Sequence, residues 1–358
     1  MVGILVAALV AACITALITP TVRGWSERHG AVDQPGERRV NTSPVPRAGG
    51  IAIYVGFVAA VLITVTFRQF SKPGQHTWTL QIIGILVATT FFAIVGLVDD
   101  FKNLHAKWQA LALVCGGLIL VAFGVRIEGV TNPFGPSSGG YNPFLNWHAF
   151  DAVTSVVGTV LWVFIVTKTV DAIDGVDGLA AGVCAISATA LALMAVQLTK
   201  PEFATLALIA AALAGACIGF LRHNYHPAKI IMGTIGAWTL GLPLAAVSIL
   251  GAFKIAAAVS VLVPVLVLGV PIFDYVHVLT RRLLARAPLT MADKRHLHHY
   301  LLINRGWSQR QVVWFIYGVA IVFCVTALAV FRMNRTHANP AAPIAIKKAG
   351  LISRRGGE

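Results

Sequence analysis

The chain has 358 residues, 57% of them hydrophobic and only 12% charged, with a mean hydropathy of +0.78 and a formal charge of +14. A soluble domain carries about 25% charged residues, so the composition excludes a water-soluble globular protein and points to a multi-pass membrane protein in contact with the lipid bilayer. The excess of 28 Lys and Arg over 14 Asp and Glu fits anionic headgroups and a phosphorylated substrate. No nucleic-acid module interrupts the apolar runs, so no nucleic-acid partner is expected.

Apolar stretches of about 17 to 21 residues, the length that crosses the hydrocarbon core, run over 2–19, 49–66, 80–98, 109–125, 153–171, 178–197, 203–221, 230–250, 254–273 and 312–331. The expected fold is therefore all-α and polytopic, with about ten transmembrane helices in one domain over 1–331 and a loose basic tail over 332–358. The first span lacks a basic leader and a clear small-residue cleavage site, and reads as a retained helix. Cys13, Cys115, Cys184, Cys217 and Cys324 all fall in or beside these spans without CxxC spacing, as small core residues do. Pro/Gly-rich stretches at 131–143 and 339–357 read as an outer loop and the tail.

Lys and Arg set the orientation, because short basic loops stay in the cytoplasm. With the N-terminus outside, the inner segments carry 17 Lys and Arg against 5 outside, seven of the 17 in the 274–311 loop. A further six from Arg332 onward would lie outside. The scarce acids Asp99, Asp100, Asp171, Asp174, Asp177 and Asp274 then all fall at the cytoplasmic face of the plasma (inner) membrane. Carboxylates beside hydrocarbon face a wet cavity, pair with cations or bind metal.

Asp99-Asp100 ends the third span. Adjacent carboxylates repel, so one holds its proton more tightly unless a cation binds, which suits a general base or a magnesium partner. Next comes Asp171-Ala-Ile-Asp174-Gly-Val-Asp177-Gly, whose i, i+3, i+6 spacing would place three carboxylates on one face of a helix. Gly175 and Gly178 would admit a phosphate close to backbone. The 274–311 loop supplies Arg281-Arg282 and His296-Leu-His298-His299. These are phosphate-oxygen donors, although an HxHH run also suits a metal site or a solvated helix face.

At these residues the chain resembles the polyprenyl-phosphate N-acetylhexosamine-1-phosphate transferases. The likeness runs through Thr19-Pro20, Pro44-Val-Pro46-Arg-Ala-Gly49-Gly50, Gly96-Leu-Val-Asp99-Asp100, Ile173-Asp174-Gly-Val-Asp177-Gly-Leu-Ala-Ala-Gly182, Asn224-Tyr-His-Pro227-Ala-Lys229-Ile-Ile-Met232-Gly233 and Asp293 to His299. It implies that a polyprenyl phosphate attacks the beta-phosphate of a UDP-N-acetylhexosamine, releasing UMP. It further implies Asp99 and Asp100 as base or phosphate-orienting pair, and Asp174 and Asp177 at nucleotide or metal. Lys107, Asn224, Lys229, Arg281, Arg282, His296, His298 and His299 would bind substrate. Mg2+ (or Mn2+) would sit at Asp100 and Asp171, and a homodimer is compatible with the family. Tyr300-Leu-Leu after the His run favours UDP-N-acetylglucosamine as donor.

Four positions depart from the family pattern. Its Met-Gly-Asp reads Met232-Gly233-Thr234, its Asn-Ala-x-Asn reads Lys168-Thr-Val-Asp171, a basic residue is Gln109, and a His is Asn41. Asp171 could replace the acid absent at 234, in which case Asp171→Asn abolishes activity and Thr234→Asp is tolerated. Alternatively Lys168 and Asp171, three apart on a helix, form a plain ion pair. Two function classes remain open at this stage: a working transferase, or a silent relative that binds polyprenyl phosphate or nucleotide sugar. A transporter would have no reason to carry these loop motifs.

Overall fold

The computed structural model describes residues 2–34, 44–71, 79–131, 147–198, 201–252, 265, 267–284, 300–302 and 304–337. Ten helices carry the described chain: α1 Val2–Arg28, α2 Gly50–Ser71, α3 Leu80–Lys102, α4 Ala106–Ala122, α5 Ala152–Ile173, α6 Leu179–Val196, α7 Pro201–Asn224, α8 Gly233–Ala252, α9 Gly269–Leu284 and α10 Gln309–His337. Two small antiparallel ribbons accompany them, β1 Val32–Asp33 with β2 Val45–Pro46, and β3 Gly129–Thr131 with β4 Trp147–Ala149. The expected all-α membrane architecture is what the chain adopts.

Eight of these helices are long and apolar enough to cross a bilayer. Of the two further expected spans, 109–125 is the 17-residue α4, and 254–273 falls mostly outside the described residues. The last helix runs on to His337, five residues beyond the expected start of the tail at 332. Three cysteines, Cys184, Cys217 and Cys324, are buried as expected, whereas Cys13 is exposed on α1 and Cys115 is intermediate.

Burial orders the bundle. In α8, 89% of the apolar stretch is enclosed by protein, against 22% in α1, so α8 is central and α1 peripheral. Leu17, Phe67, Phe70 and Trp314 stay exposed, as side chains do where the surrounding solvent is lipid. With no hydrophobic drive between helices inside a bilayer, close approach of small residues takes over. On α7 a Cβ on Gly219 would meet Ala12 of α1, and one on Gly215 would collide with Ala8.

Pro20 lies inside α1 and has no N–H to give the carbonyl of Ala16, four residues earlier. The ring Nε2–H of His223 on α7 donates to that carbonyl at 3.1 Å. A freed backbone acceptor at membrane depth needs such a partner. It also pins the C-terminal part of α1 to the end of α7.

Candidate active site at one end of the bundle

The ends of α3, α5 and α7 and the starts of α2, α4, α6 and α8 meet at one end of the molecule. The start of α8 packs closely against α3. A Cβ on Gly96 would come within 2.6 Å of the Cα of Ile235, so only glycine lets the two backbones close. Gly233 sits at φ +69°, in the left-handed region that favours glycine. A Cβ there would fall 2.5 Å from Oδ2 of Asp100.

This approach aims the N-terminus of α8 at the paired acids. The N–H of Thr234 donates to Oδ1 of Asp100 at 2.9 Å and that of Ile235 to Oδ2 at 3.2 Å. Free N–H groups at a helix start are natural anion partners. Arg47, one residue past β2, donates to Oδ1 of the same carboxylate at 2.8 Å. Asp99 is equally engaged. Its Oδ1 accepts from the N–H of Leu104 at 2.8 Å and from Gln109 Nε2 at 2.9 Å, and its Oδ2 from the hydroxyl of Thr234 at 2.7 Å.

The second acidic group does not lie on one helix face. α5 stops at Ile173, Asp174 is its C-cap, and α6 begins only at Leu179. Gly178 at φ +78° cannot continue a helix. Asp171 closes α5, Asp174 caps it, and Asp177 faces elsewhere. Burial pushes the Asp174 carboxyl well above the usual carboxylate range, Asp171 and Asp100 add to the push, and Arg47 and the N–H of Gly233 oppose it. It is the acid here with the least compensated charge.

Asp171 pairs with Lys168 at 2.8 Å, the plain ion-pair arrangement. Lys168 also donates to Gln109 Oε1 at 2.9 Å and lies 5.8 Å from the centre of the Trp238 ring.

Asp177 instead anchors the turn after α7. Its Oδ2 accepts from His226 Nδ1 at 2.8 Å and from the N–H of Ala228 at 3.0 Å. Buried Asn224 accepts from the N–H of Gly178 at 3.1 Å and donates to the carbonyl of Ile230 at 2.9 Å. Tyr317 of α10 donates to the carbonyl of Gly178 at 2.6 Å. The 174–178 turn is thus held from three sides.

A family model described as Glycosyl transferase family 4 matches residues 82–252, the stretch that carries Asp99, Asp100, Asp174, Asp177, Asn224 and Thr234. The chain is 34% identical over 328 residues to a "Probable undecaprenyl-phosphate N-acetylglucosaminyl 1-phosphate transferase" of Bacillus subtilis, covering 92% of this chain and 85% of the relative. The chain belongs to glycosyl transferase family 4. It is also 34% identical over 334 residues to a decaprenyl-phosphate N-acetylglucosaminephosphotransferase of Mycobacterium tuberculosis, covering 88% of this chain and 80% of that one. A phospho-N-acetylmuramoyl-pentapeptide-transferase of Desulforudis audaxviator is 30% identical over 361 residues, covering 92% and 98%.

For this member of glycosyl transferase family 4, the structure brings together Asp99, Asp100, Asp171 and Asp174, and places Asp177 and Asn224 in the adjoining turn. Lys107 and Lys229 are exposed at the same end, Lys107 with its ammonium 5.5 Å from the centre of the Trp108 ring. Arg281 and Arg282 lie on α9, Arg281 exposed. His296, His298, His299 and Asn41 lie outside the described residues. Sequence reasoning gave no site role to Arg47, His226 or Tyr317. Arg47 lies within the Pro44–Gly50 motif, which was the one signal available for it.

No group of three or more His, Cys, Asp or Glu side chains converges as a complete metal cage among the described residues. A magnesium ion needs less, since one or two carboxylates plus substrate phosphates complete its octahedron. Asp174, only partly compensated by Arg47 and the N–H of Gly233, lies beside Asp100 and fits that demand. Near these acids, an apolar groove of about 470 Å³ lies between α1, α2 and α3, lined by Trp25, Tyr54, Ala93, Leu97 and, from α8, Ile235. Its nearly pure hydrocarbon wall can receive an acyl or isoprenoid chain.

Proposed function

We propose that the protein transfers N-acetylglucosamine-1-phosphate from UDP-N-acetylglucosamine to a polyprenyl phosphate, giving polyprenyl-diphospho-N-acetylglucosamine and UMP, at the cytoplasmic face of the plasma membrane. The observation that carries the reading is the meeting of Asp99, Asp100, Asp174 and Arg47 at one end of a membrane bundle. The 34% identity to relatives named for this transfer supports it, and the bias of 17 inner against 5 outer basic residues supports the side.

An oxygen of the lipid phosphate attacks the beta-phosphorus, the bond to the bridging oxygen breaks, and UMP leaves with that oxygen. Phosphoryl transfer of this kind needs alignment and charge neutralisation more than a strong nucleophile. Asp174, with its raised proton affinity, can take the last proton of the lipid phosphate or share a cation with the diphosphate. Asp99 and Asp100, each hydrogen-bonded through both carboxylate oxygens, hold the start of α8 and the 104–109 turn in place, and Asp100 Oδ2, which accepts the N–H of Ile235, still has a lone pair to offer. Lys107, Lys229 and Arg281 offer cations to phosphate oxygens, and the family resemblance gives His296, His298 and His299 a role in binding the sugar phosphate. Magnesium, when bound by Asp174 and Asp100, would neutralise the diphosphate.

A second reading, a silent binder, draws on one observation: the hydroxyl of Thr234 occupies the position of the family acid and is already bonded to Asp99. UMP release by the purified protein, with polyprenyl phosphate, a panel of UDP-sugars, and magnesium present or chelated, separates the two. Release that requires both lipid and magnesium establishes the transfer and its donor. Binding of donor without release sinks it in favour of the silent binder.

A further inference from the structure

Three of the departures that the family resemblance implies exchange charge in a balanced way. Positions 109 and 234 are neutral, as Gln109 and Thr234, where the pattern has a base and an acid. Positions 168 and 171 are a base and an acid, as Lys168 and Asp171, where the pattern has two asparagines. The net charge over the four positions is zero in both arrangements.

The structure makes these four residues links of one chain around Asp99. Thr234 donates to Asp99 Oδ2 at 2.7 Å, and Gln109 Nε2 donates to Asp99 Oδ1 at 2.9 Å. Lys168 Nζ donates to Gln109 Oε1 at 2.9 Å and to Asp171 Oδ2 at 2.8 Å. Together with Asp99 they come from four elements, the start of α8, the end of α3, α4 and α5, and sequence separations of 59 and 135 residues lie between bonded partners. Gln109 is the joint. Its amide turns the N–H side to an anion and the oxygen to a cation, and only one orientation of the amide satisfies both.

We propose that Gln109, Lys168, Asp171 and Thr234 form one positioning unit that orients Asp99, in which the charge pair of the family pattern has moved from positions 109 and 234 to positions 168 and 171. The proposal rests on the transferase reading above. It replaces the idea of Asp171 as a stand-in metal ligand, because Asp171 serves as the counter-ion of Lys168.

Each reversion alone is then harmful. A carboxylate at 234 would bring anionic oxygen to where a hydroxyl now sits 2.7 Å from Asp99, with no cation added. A lysine at 109 would set its ammonium against that of Lys168, which now touches the Gln109 amide oxygen. Like charges at such contact are strongly disfavoured in a partly buried site. Reverting all four positions restores a consistent pattern.

The test measures UMP release and the apparent unfolding temperature of the purified full chain in detergent. Thr234→Asp and Gln109→Lys are each expected to lower kcat by about tenfold or more, with donor KM within about twofold, while the quadruple Gln109→Lys, Lys168→Asn, Asp171→Asn, Thr234→Asp recovers kcat to within about threefold of wild type. A quadruple no better than the product of its singles overturns the proposal. Should the quadruple fail to fold, the pair Gln109→Leu and Lys168→Met decides by unfolding temperature. A double variant no less stable than the worse single supports one unit, and additive losses refute it. If the wild type itself releases no UMP, the transferase reading falls, and this thermal cycle still judges the unit.

Discussion

Arg47 donates to Oδ1 of Asp100 across 2.8 Å, from a side chain 17% exposed to one that is fully enclosed. This bond joins the segment before α2 to the end of α3, 53 residues apart. It also sets how much charge reaches Asp174, since Arg47 lowers the proton affinity that Asp100 and Asp171 raise.

Removing Arg47 leaves a buried carboxylate held only by two backbone N–H groups. Arg47→Ala is expected to destabilise by about 3–5 kcal/mol, the range for breaking one partner out of a buried pair. Arg47→Lys keeps the charge but loses the planar fork and should fall between Ala and wild type. Thermal unfolding in detergent at one fixed scan rate gives the order, and a Lys variant as damaged as Ala would argue that geometry alone matters.

Glycines at the α3–α8 contact make a graded test. Gly233→Ala combines a left-handed backbone with a Cβ 2.5 Å from Asp100, and Gly96→Ala drives a Cβ to 2.6 Å from the Cα of Ile235. Both should lower the unfolding temperature and cut UMP release by about tenfold or more, because displacing the start of α8 by about 1 Å misaligns the acids. Gly24→Ala and Gly251→Ala, with nothing within 4 Å of the new Cβ, should be neutral or stabilising by up to about 1 kcal/mol.

Apolar run lengths made the membrane bundle legible, and the placement of the acids made their gathering at one end of it legible. Asp99, Asp100 and Asp174 could be picked out because a carboxylate beside hydrocarbon is rare and has few structural uses. The helical reading of Asp171, Asp174 and Asp177 failed for a local reason. Two glycines within five residues lower helix propensity, and Gly178 adopts a positive φ. Side-chain partners such as Arg47 with Asp100, or Thr234 with Asp99 135 residues away, carry no periodic signal along the chain. They follow only from how α3 and α8 close on Gly96. The His223 bond to Ala16, by contrast, answers a visible cue, since Pro20 announces a carbonyl in need of a donor.

Asp177 and His226 should behave as a couple. Asp177 has a side chain 6% exposed and His226 33%, and together with Ala228 they fix the turn after α7. Asp177→Ala and His226→Ala are each expected to destabilise by about 1–2 kcal/mol, with the double variant short of the sum by about 0.5 kcal/mol or more. Strict additivity in a thermal double-variant cycle would show that Asp177 does not anchor this turn and is free to face substrate.

Asp174 gives a pH dependence of defined sign. Its folded proton affinity is raised above the ordinary carboxylate value of 3.8, so between that value and the folded one the native state binds more protons than the unfolded chain. Stability therefore falls as pH rises through this window, and the loss is complete above the folded value. Asp174→Asn removes the carboxylate, so without divalent cations the variant should unfold at a higher temperature than wild type near pH 8, with the gap closing toward pH 4. A cation that binds the ionised form relieves the same repulsion. Magnesium should raise the unfolding temperature of wild type near pH 8 and leave Asp174→Asn unmoved, even as the variant loses UMP release. Equal magnesium shifts in both proteins would place the cation elsewhere and leave Asp174 as a proton acceptor alone.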